Sequence, residues 1–390
     1  MRHFAILAGA EAVARGMLVS VFPLALYQAL GDAGGVSGIY LAAGIVSLIV
    51  GFLVPALTRA IPRRHVYSAG AGLMGLGALV AATGHPAAIV AGLGLVTVAT
   101  VMCFVCFNAY VLDFVAKSEL SRCETARLFY SALGWTIGPV AGVFLYGQWP
   151  ASPFIVSALA SAVMLGIFWY MRLGDGRFIA RGAGRPAPKV LSYLPRFAEQ
   201  KRLVAGWLFA VIRSCGWWVY VVYLPIFAIE RGLGDQVGGA ALSVSNAALF
   251  LSPLMLRWMN RHSIRVAVRT GFAASALLFG LAGGVAGMPW LAVTALMAAS
   301  FFLILLDISG GLPFLLAVKP SERPEMSAVY ASFRDISGIV TPGVAWAVLL
   351  VAPLPAIFAV MGGGLGLAWW IAGTLPARLG RTGRALAAAA

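Results

Sequence analysis

Six ionisable side chains of this 390-residue chain lie inside long apolar runs: Glu11, Arg15, Arg213, Asp307, Arg334 and Asp335. An ionisable group near the centre of a hydrocarbon layer costs at least about 2.5–3.5 kcal/mol, so such residues mark routes for solutes or protons. Three are bases and three are acids. A guanidinium offers a planar fork of donors that matches a carboxylate or phosphate. Arg15, Arg213 and Arg334 are therefore candidates to hold an anionic or zwitterionic solute. Their competing use is internal pairing: Glu11 and Arg15 stand at i, i+4 on one helix face, and Asp307 or Asp335 can neutralise Arg213 or Arg334. A proton carrier has to be a carboxylate whose protonation follows its surroundings. Asp307 fits best, because it follows the apolar stretch Phe301–Leu306 with no base within a turn. Glu11 and Asp335 follow it, each having an arginine close in sequence. Trp217, Tyr220 and Tyr223 recur at i, i+3, and with Trp135, Asn108, Tyr130 and Tyr330 they can line a cavity for a planar or amphipathic molecule. The same aromatics also suit the belt at a membrane surface.

The elements that must position these groups are membrane spans. With 61% hydrophobic and only 11% charged residues, the composition excludes an ordinary soluble enzyme. Twelve apolar runs are long enough to cross a bilayer, near 4–29, 36–58, 66–84, 87–116, 124–148, 152–172, 204–229, 236–257, 266–286, 288–316, 326–350 and 354–374. They are continuously apolar rather than alternating, which predicts an all-α polytopic protein and excludes a β-barrel. The net charge of +15 follows the spans. All but four of the 28 Lys and Arg fall on one side; Arg231 is on the other, and Arg15, Arg213 and Arg334 are within spans. That bias predicts a multi-pass protein of the inner membrane with both termini in the cytoplasm. Met1-Arg2-His3 leads straight into the first span, with no cleavable leader pattern. The six buried charges then stand roughly 9–12 residues from the cytoplasmic ends of their spans, about 13–18 Å deep, as the wall of a central cavity would.

The longest interruption, 173–203, is basic and Pro-containing, and divides residues 1–172 from 204–375; residues 376–390 form a basic tail. Its second part, from Val190 to Arg202, is readable either as a solvated linker or as a short helix on the anionic inner leaflet. The two six-span halves repeat each other. Pro55–Arg64 and Pro253–His262 both read P-x3-R-x2-[P/N]-R-[R/H], and Leu30-Gly31-Asp32 matches Leu233-Gly234-Asp235.

Twelve spans as six plus six, a long basic central loop and these paired loops resemble the major facilitator superfamily over essentially the whole chain. Of that family's G-x3-D-[R/K]-x-G-[R/K]-[R/K] loop the sequence keeps Arg63-Arg64 and departs at Pro55, Arg59, Ala60 and Pro62. In the family the loop's Asp latches an inner gate. Here Arg59 takes its place with inverted charge, so the resemblance implies a gate in which Asp113 or Glu124 answers Arg59 and Glu325 answers Arg257. The charge bias alone also accounts for both arginines. In span five, Gly134-Trp-Thr-Ile-Gly138-Pro139-Val-Ala-Gly142 resembles the antiporter motif of the family's drug:proton exporters, lacking only the last Gly, at Val143. Its glycines permit close helix approach and its proline bends the span. Arginines on spans one and seven are similar to those of the family's organophosphate:phosphate antiporters.

The resemblance implies a secondary active transporter, proton-coupled and exporting a small amphipathic, possibly anionic, organic solute by alternating access. An organic-anion or organophosphate exchanger or uptake symporter is the alternative, and a non-transporting receptor or scaffold of the same fold is a third. The implied partners are a small-molecule solute, protons and the lipid bilayer, with no nucleic acid, and the protein acts as a monomer. Cys103-x-x-Cys106 lacks the histidine or second pair of a zinc site. No phosphate-binding loop, hydrolase or dinucleotide signature occurs in the right context. The sequence thus predicts no enzyme activity, no cofactor and no metal.

Overall fold

The computed structural model describes residues 2–115, 120–174, 190–318, 326 and 329–376, and among these the regular elements are all helices. They are α1 (Arg2–Leu18), α2 (Val21–Leu30), α3 (Ala33–Ala60), α4 (Arg63–Ala81), α5 (Pro86–Phe114), α6 (Leu120–Gln148), α7 (Ser152–Gly174), α8 (Val190–Glu199), α9 (Lys201–Glu230), α10 (Gln236–Ala247), α11 (Ser252–His262), α12 (Ile264–Gly284), α13 (Pro289–Ser309), α14 (Leu312–Ala317), α15 (Phe333–Leu349) and α16 (Pro355–Ala372). These helices fall on all twelve expected spans, with α1–α2, α10–α11 and α13–α14 each sharing one and α8 lying in the linker. Ten stretches among the described residues are long and apolar enough to cross a bilayer. The other two are α4, which opens on Arg63-Arg64-His65, and α15, with 17 described residues. On α3, Ile49, Phe52 and Leu53 are more than half exposed, a surface stable only against lipid.

Three spans are broken, and each break lies beside a proline. A proline has no N–H and its ring crowds the carbonyl four residues back. Pro23 thus leaves Val19 without its intrahelical partner, and α1 ends at Leu18. Pro253 likewise supplies no N–H to Leu249 in the 3-10 turn Ala248–Leu251, where the backbone N–H and the hydroxyl of Ser252 both donate to the Leu249 carbonyl instead. Pro313 orphans Ser309, and α13 stops there, two residues beyond Asp307. At the α2–α3 turn, Gly31 adopts φ 67° and Asp32 caps α3, accepting from the amides of Gly34 (3.1 Å) and Gly35 (2.6 Å).

The chain forms two compact units, Met1–Ala187 with Gly234–Asn246, and Pro188–Leu233 with Ala247–Ala390. The division therefore assigns Gly234–Asn246, within the sequence range 204–375, to the first unit. In the first unit, α1, α4, α5 and α7 enclose a core that includes Phe4, Tyr67, Met74, Phe107 and Phe168. Ser157 of α7 donates to the Ala14 carbonyl (2.8 Å), and Trp169 donates to Ser68 (3.1 Å). In the second unit, α9 is the hub. Trp207 donates to Ser332 (3.1 Å), and Ser214 and Ser337 share a hydrogen bond at 2.7 Å across to α15.

Candidate functional site

The charges carried by the spans resolve into one cluster in each unit, with Asp307 and Arg334 exposed and the others half-buried. In the first unit, Arg15 Nη1 donates to Glu11 Oε1 at 3.2 Å, as their spacing allows, and the guanidinium stands 5.4 Å from the ring centre of Trp135. The pair is partly open, with side-chain exposures of 33% for Arg15 and 13% for Glu11. Asn108 is engaged elsewhere: its Oδ1 accepts from Arg127 Nη2 at 3.4 Å, while that guanidinium packs 4.5 Å from the centre of Phe107.

The second unit holds the tighter arrangement. Arg213 Nε of α9 lies 3.0 Å from Asp307 Oδ1 of α13, and Trp217 Nε1 donates to Asp307 Oδ2 at 3.0 Å. Both oxygens of the carboxylate are thus engaged by one face of α9, since positions 213 and 217 are one turn apart. The Arg213 contact is ionic rather than an aligned hydrogen bond, because the Nε–H is not directed at the carboxylate. The rest of the fork packs 5.4 Å from the centre of the Phe333 ring. Arg334 packs on the same ring at 5.6 Å, and Tyr330 lies 5.4 Å from it. Two guanidiniums thus share one aromatic ring, with Asp307 against the first and Asp335 next in sequence to the second.

Asp307 is therefore not isolated from bases, as its local sequence suggested; α9 brings one to it across 94 positions. Arg15 and Arg213 belong to different units, each with a carboxylate of its own. Tyr220 and Tyr223 are 1% exposed and pack inside the bundle, Tyr220 edge-on to Trp217 at 5.9 Å. Asp335 sits in the first turn of α15. Of the proposed gate residues, Arg59 is exposed in the last turn of α3 and Arg257 is exposed in the middle of α11. The side chains of Asp113 and Glu124, and Glu325 as a whole, lie outside the described residues.

The glycine-rich segment of α6 works on two faces. A Cβ on Gly134 lies 2.7 Å from the carbonyl carbon of Ala12, one on Gly138 lies 2.6 Å from that of Gly16, and one on Gly142 meets the Met17 carbonyl oxygen. Three successive turns of α6 thus rest on the backbone of α1, which only hydrogen side chains allow. On the other face, Pro139 supplies no N–H to the carbonyl of Trp135. Asn246 Nδ2 of α10 donates to that orphan at 2.6 Å, and the Val140 amide donates to Ser243 Oγ at 3.0 Å. Asn246, Ser243 and Gly239 share one face of α10, and a Cβ on Gly239 lies 2.8 Å from the Pro139 carbonyl oxygen.

Sequence reading missed Ser243, Asn246 and Phe333. The orphaned carbonyl was legible from Pro139, but nothing local shows which helix answers it. Asn246→Ala should cost about 1–3 kcal/mol, the penalty of an unsatisfied buried carbonyl. In a Pro139→Ala background, where residue 139 supplies an N–H to Trp135, the same substitution should cost much less. Unfolding midpoints of the four proteins form the cycle that checks this; equal losses in both backgrounds would refute the pairing.

A polytopic helical bundle whose spans carry paired charges is an architecture suited to a membrane transporter. The Major Facilitator Superfamily profile matches residues 4–342, and the chain belongs to that family. No curated protein matches it in sequence. Among solved structures, the nucleoside transporter NupG is similar in fold, with a TM-score of 0.75 at 15% identity over 96% of this chain and 99% of that one. A POT family transporter in complex with a thioalcohol-conjugated peptide gives 0.73 at 11% identity, over 95% of this chain and 94% of that one. Another in complex with 5-aminolevulinic acid gives 0.73 at 12% identity, with the same coverage. The chain is thus a multi-pass membrane transporter of this superfamily.

Proposed function

We propose that this transporter couples movement of a small amphipathic organic solute to the proton gradient, with Asp307 as the proton carrier and Arg213 as the group that answers solute charge. The observation that carries this reading is the 3.0 Å contact between them. A proton on Asp307 removes the charge that occupies Arg213 and leaves its fork available to a carboxylate or phosphate. An anionic solute and the proton then bind together, which is the logic of symport. Arg334 adds a second cation on Phe333, and the rings of Trp217 and Phe333 give an apolar body something to pack against. The solute-binding set is accordingly Arg213, Arg334 and Trp217, with Arg15, Trp135 and Asn108 in the other unit. The protein works as a monomer in the inner membrane with its basic side in the cytoplasm, where the charge bias places it.

Antiport with export is the second reading, supported by the glycine-packed segment Gly134–Gly142 and its similarity to the exporters' motif. It applies if the solute carries a cationic group, which competes with the proton for Asp307. The neighbours' substrates, nucleosides and peptides among them, are polar organic molecules and suit either reading.

Proteoliposomes loaded with a pH-sensitive dye test this. Anionic, zwitterionic and cationic solutes are added in turn under an imposed pH gradient. Symport gives proton entry with an anionic solute, antiport gives proton exit with a cationic one, and solute exchange without proton movement rejects Asp307 as carrier. No flux of any kind would point to a receptor or scaffold of the same fold. Arg213→Lys should weaken the solute so identified by about 10–100-fold, since an ammonium loses one or more charge-assisted bonds of the planar fork. Unchanged affinity would leave Arg213 a structural partner only.

A further inference from the structure

Outside the paired charges, the second unit contains a cavity of about 300 Å3 where the linker helix meets the first turn of α9, lined by Gln200, Lys201, Arg202, Leu203 and Ala317. We propose that it is a binding site for the headgroup of an acidic phospholipid of the cytoplasmic leaflet. The inference is independent of which solute is carried; it needs only that the chain spans a membrane with this end on the basic side.

The cavity has fixed walls. Phe197 of α8 is 5% exposed and stands 6.3 Å from the ring of Phe314 on α14, in a cluster with Leu203, Val318, Met326 and Val329. That contact fastens α8 to the bundle. The side chain of Gln200 is held by donation to the Arg196 carbonyl at 3.3 Å. Among the described residues around this frame, Arg196, Lys201 and Arg202 are exposed, as is one acid, Glu199, a cationic balance. Leu194 is 43% exposed on the same short helix, an apolar side chain suited to the acyl region beside a basic patch.

The composition of the lining selects the ligand. Lys201 and Arg202 offer a point charge and a planar fork to one phosphate, while half-buried Ala317 and the exposed Leu194 of α8 give apolar surface for the glycerol and first methylenes. A free inorganic anion would use the first pair and gain nothing from the second. Basic pockets between spans on the cytoplasmic side are places where acidic headgroups bind. The linker sequence ahead of α8 is basic as well, with Arg177, Arg181, Arg185 and Lys189.

The full-length protein in a neutral detergent tests the proposal by its thermal midpoint in the presence of short-chain phosphatidylglycerol, short-chain phosphatidylcholine or inorganic phosphate. Phosphatidylglycerol should raise the midpoint by at least about 2 °C through binding to the folded state, and the other two should not. Lys201→Gln/Arg202→Gln should abolish that rise, whereas Lys201→Arg/Arg202→Lys and the opposite-side control Arg231→Gln should keep it. The charge-swapped pair also guards against a double variant that simply fails to fold. An equal rise with phosphatidylcholine, an equal rise with inorganic phosphate, or a rise that survives Lys201→Gln/Arg202→Gln would each overturn the assignment.

Discussion

Asp307→Asn should abolish proton-driven accumulation of solute while leaving solute binding measurable. Asparagine keeps an acceptor for the Trp217 indole, which now donates to Oδ2 at 3.0 Å, so the local packing survives. What disappears is the group that can gain and lose a proton, and with it the charge opposing Arg213 at 3.0 Å. If a proton frees Arg213 for an anion, the asparagine mimics the permanently protonated state. Anionic solute should then bind at least as well as before, and should equilibrate across the membrane without being concentrated. In proteoliposomes this reads as unchanged or faster counterflow with no accumulation under a pH gradient. Retained accumulation would remove Asp307 from the coupling step, and Glu11 and Asp335 would be next to examine. Loss of binding together with flux would mean that the carboxylate itself holds the solute, as the antiport reading requires.

The second large effect belongs to the α1–α6 contact. Gly138→Val should cost at least about 1–3 kcal/mol of stability, the range for forcing extra atoms into a packed site. The cost is hard to avoid, because the first added carbon lies 2.6 Å from the carbonyl carbon of Gly16, which is backbone and cannot rotate away. A glycine with open surroundings supplies the control: Gly166 on α7 has nothing within 4 Å of an added Cβ. A lowered midpoint and lower yield for Gly138→Val, beside a near-normal Gly166→Val, would show that close approach is what the segment provides. Equal behaviour of the two would show that its glycines are composition and not design.

Much of this protein was legible along the chain. Apolar run length defined the spans, because a bilayer leaves a backbone no other way to satisfy its polar groups than a helix. The Glu11–Arg15 pair followed from helical spacing alone. These features are local, and a local rule suffices for them. The three broken spans lie beside prolines at 23, 253 and 313, but prolines at 55, 139 and 225 sit inside unbroken helices, so the breaks themselves were not legible from proline alone.

The remainder depends on which helix lies beside which. Residues 213 and 307 carry no sequence mark of one another, nor do Pro139 and Asn246, and Phe333 looks like any other core aromatic until two arginines are found on it. Helical periodicity fixes the face a side chain occupies but leaves the neighbour of that face open. In a chain where almost every helix is apolar all round, hydrophobic pattern cannot choose among partners. Glycine and hydroxyl contacts of a few ångströms make that choice, and those exist only once the bundle is packed. The amino-acid order thus determined what kinds of groups the spans carry, and tertiary packing decided which acid faces which base.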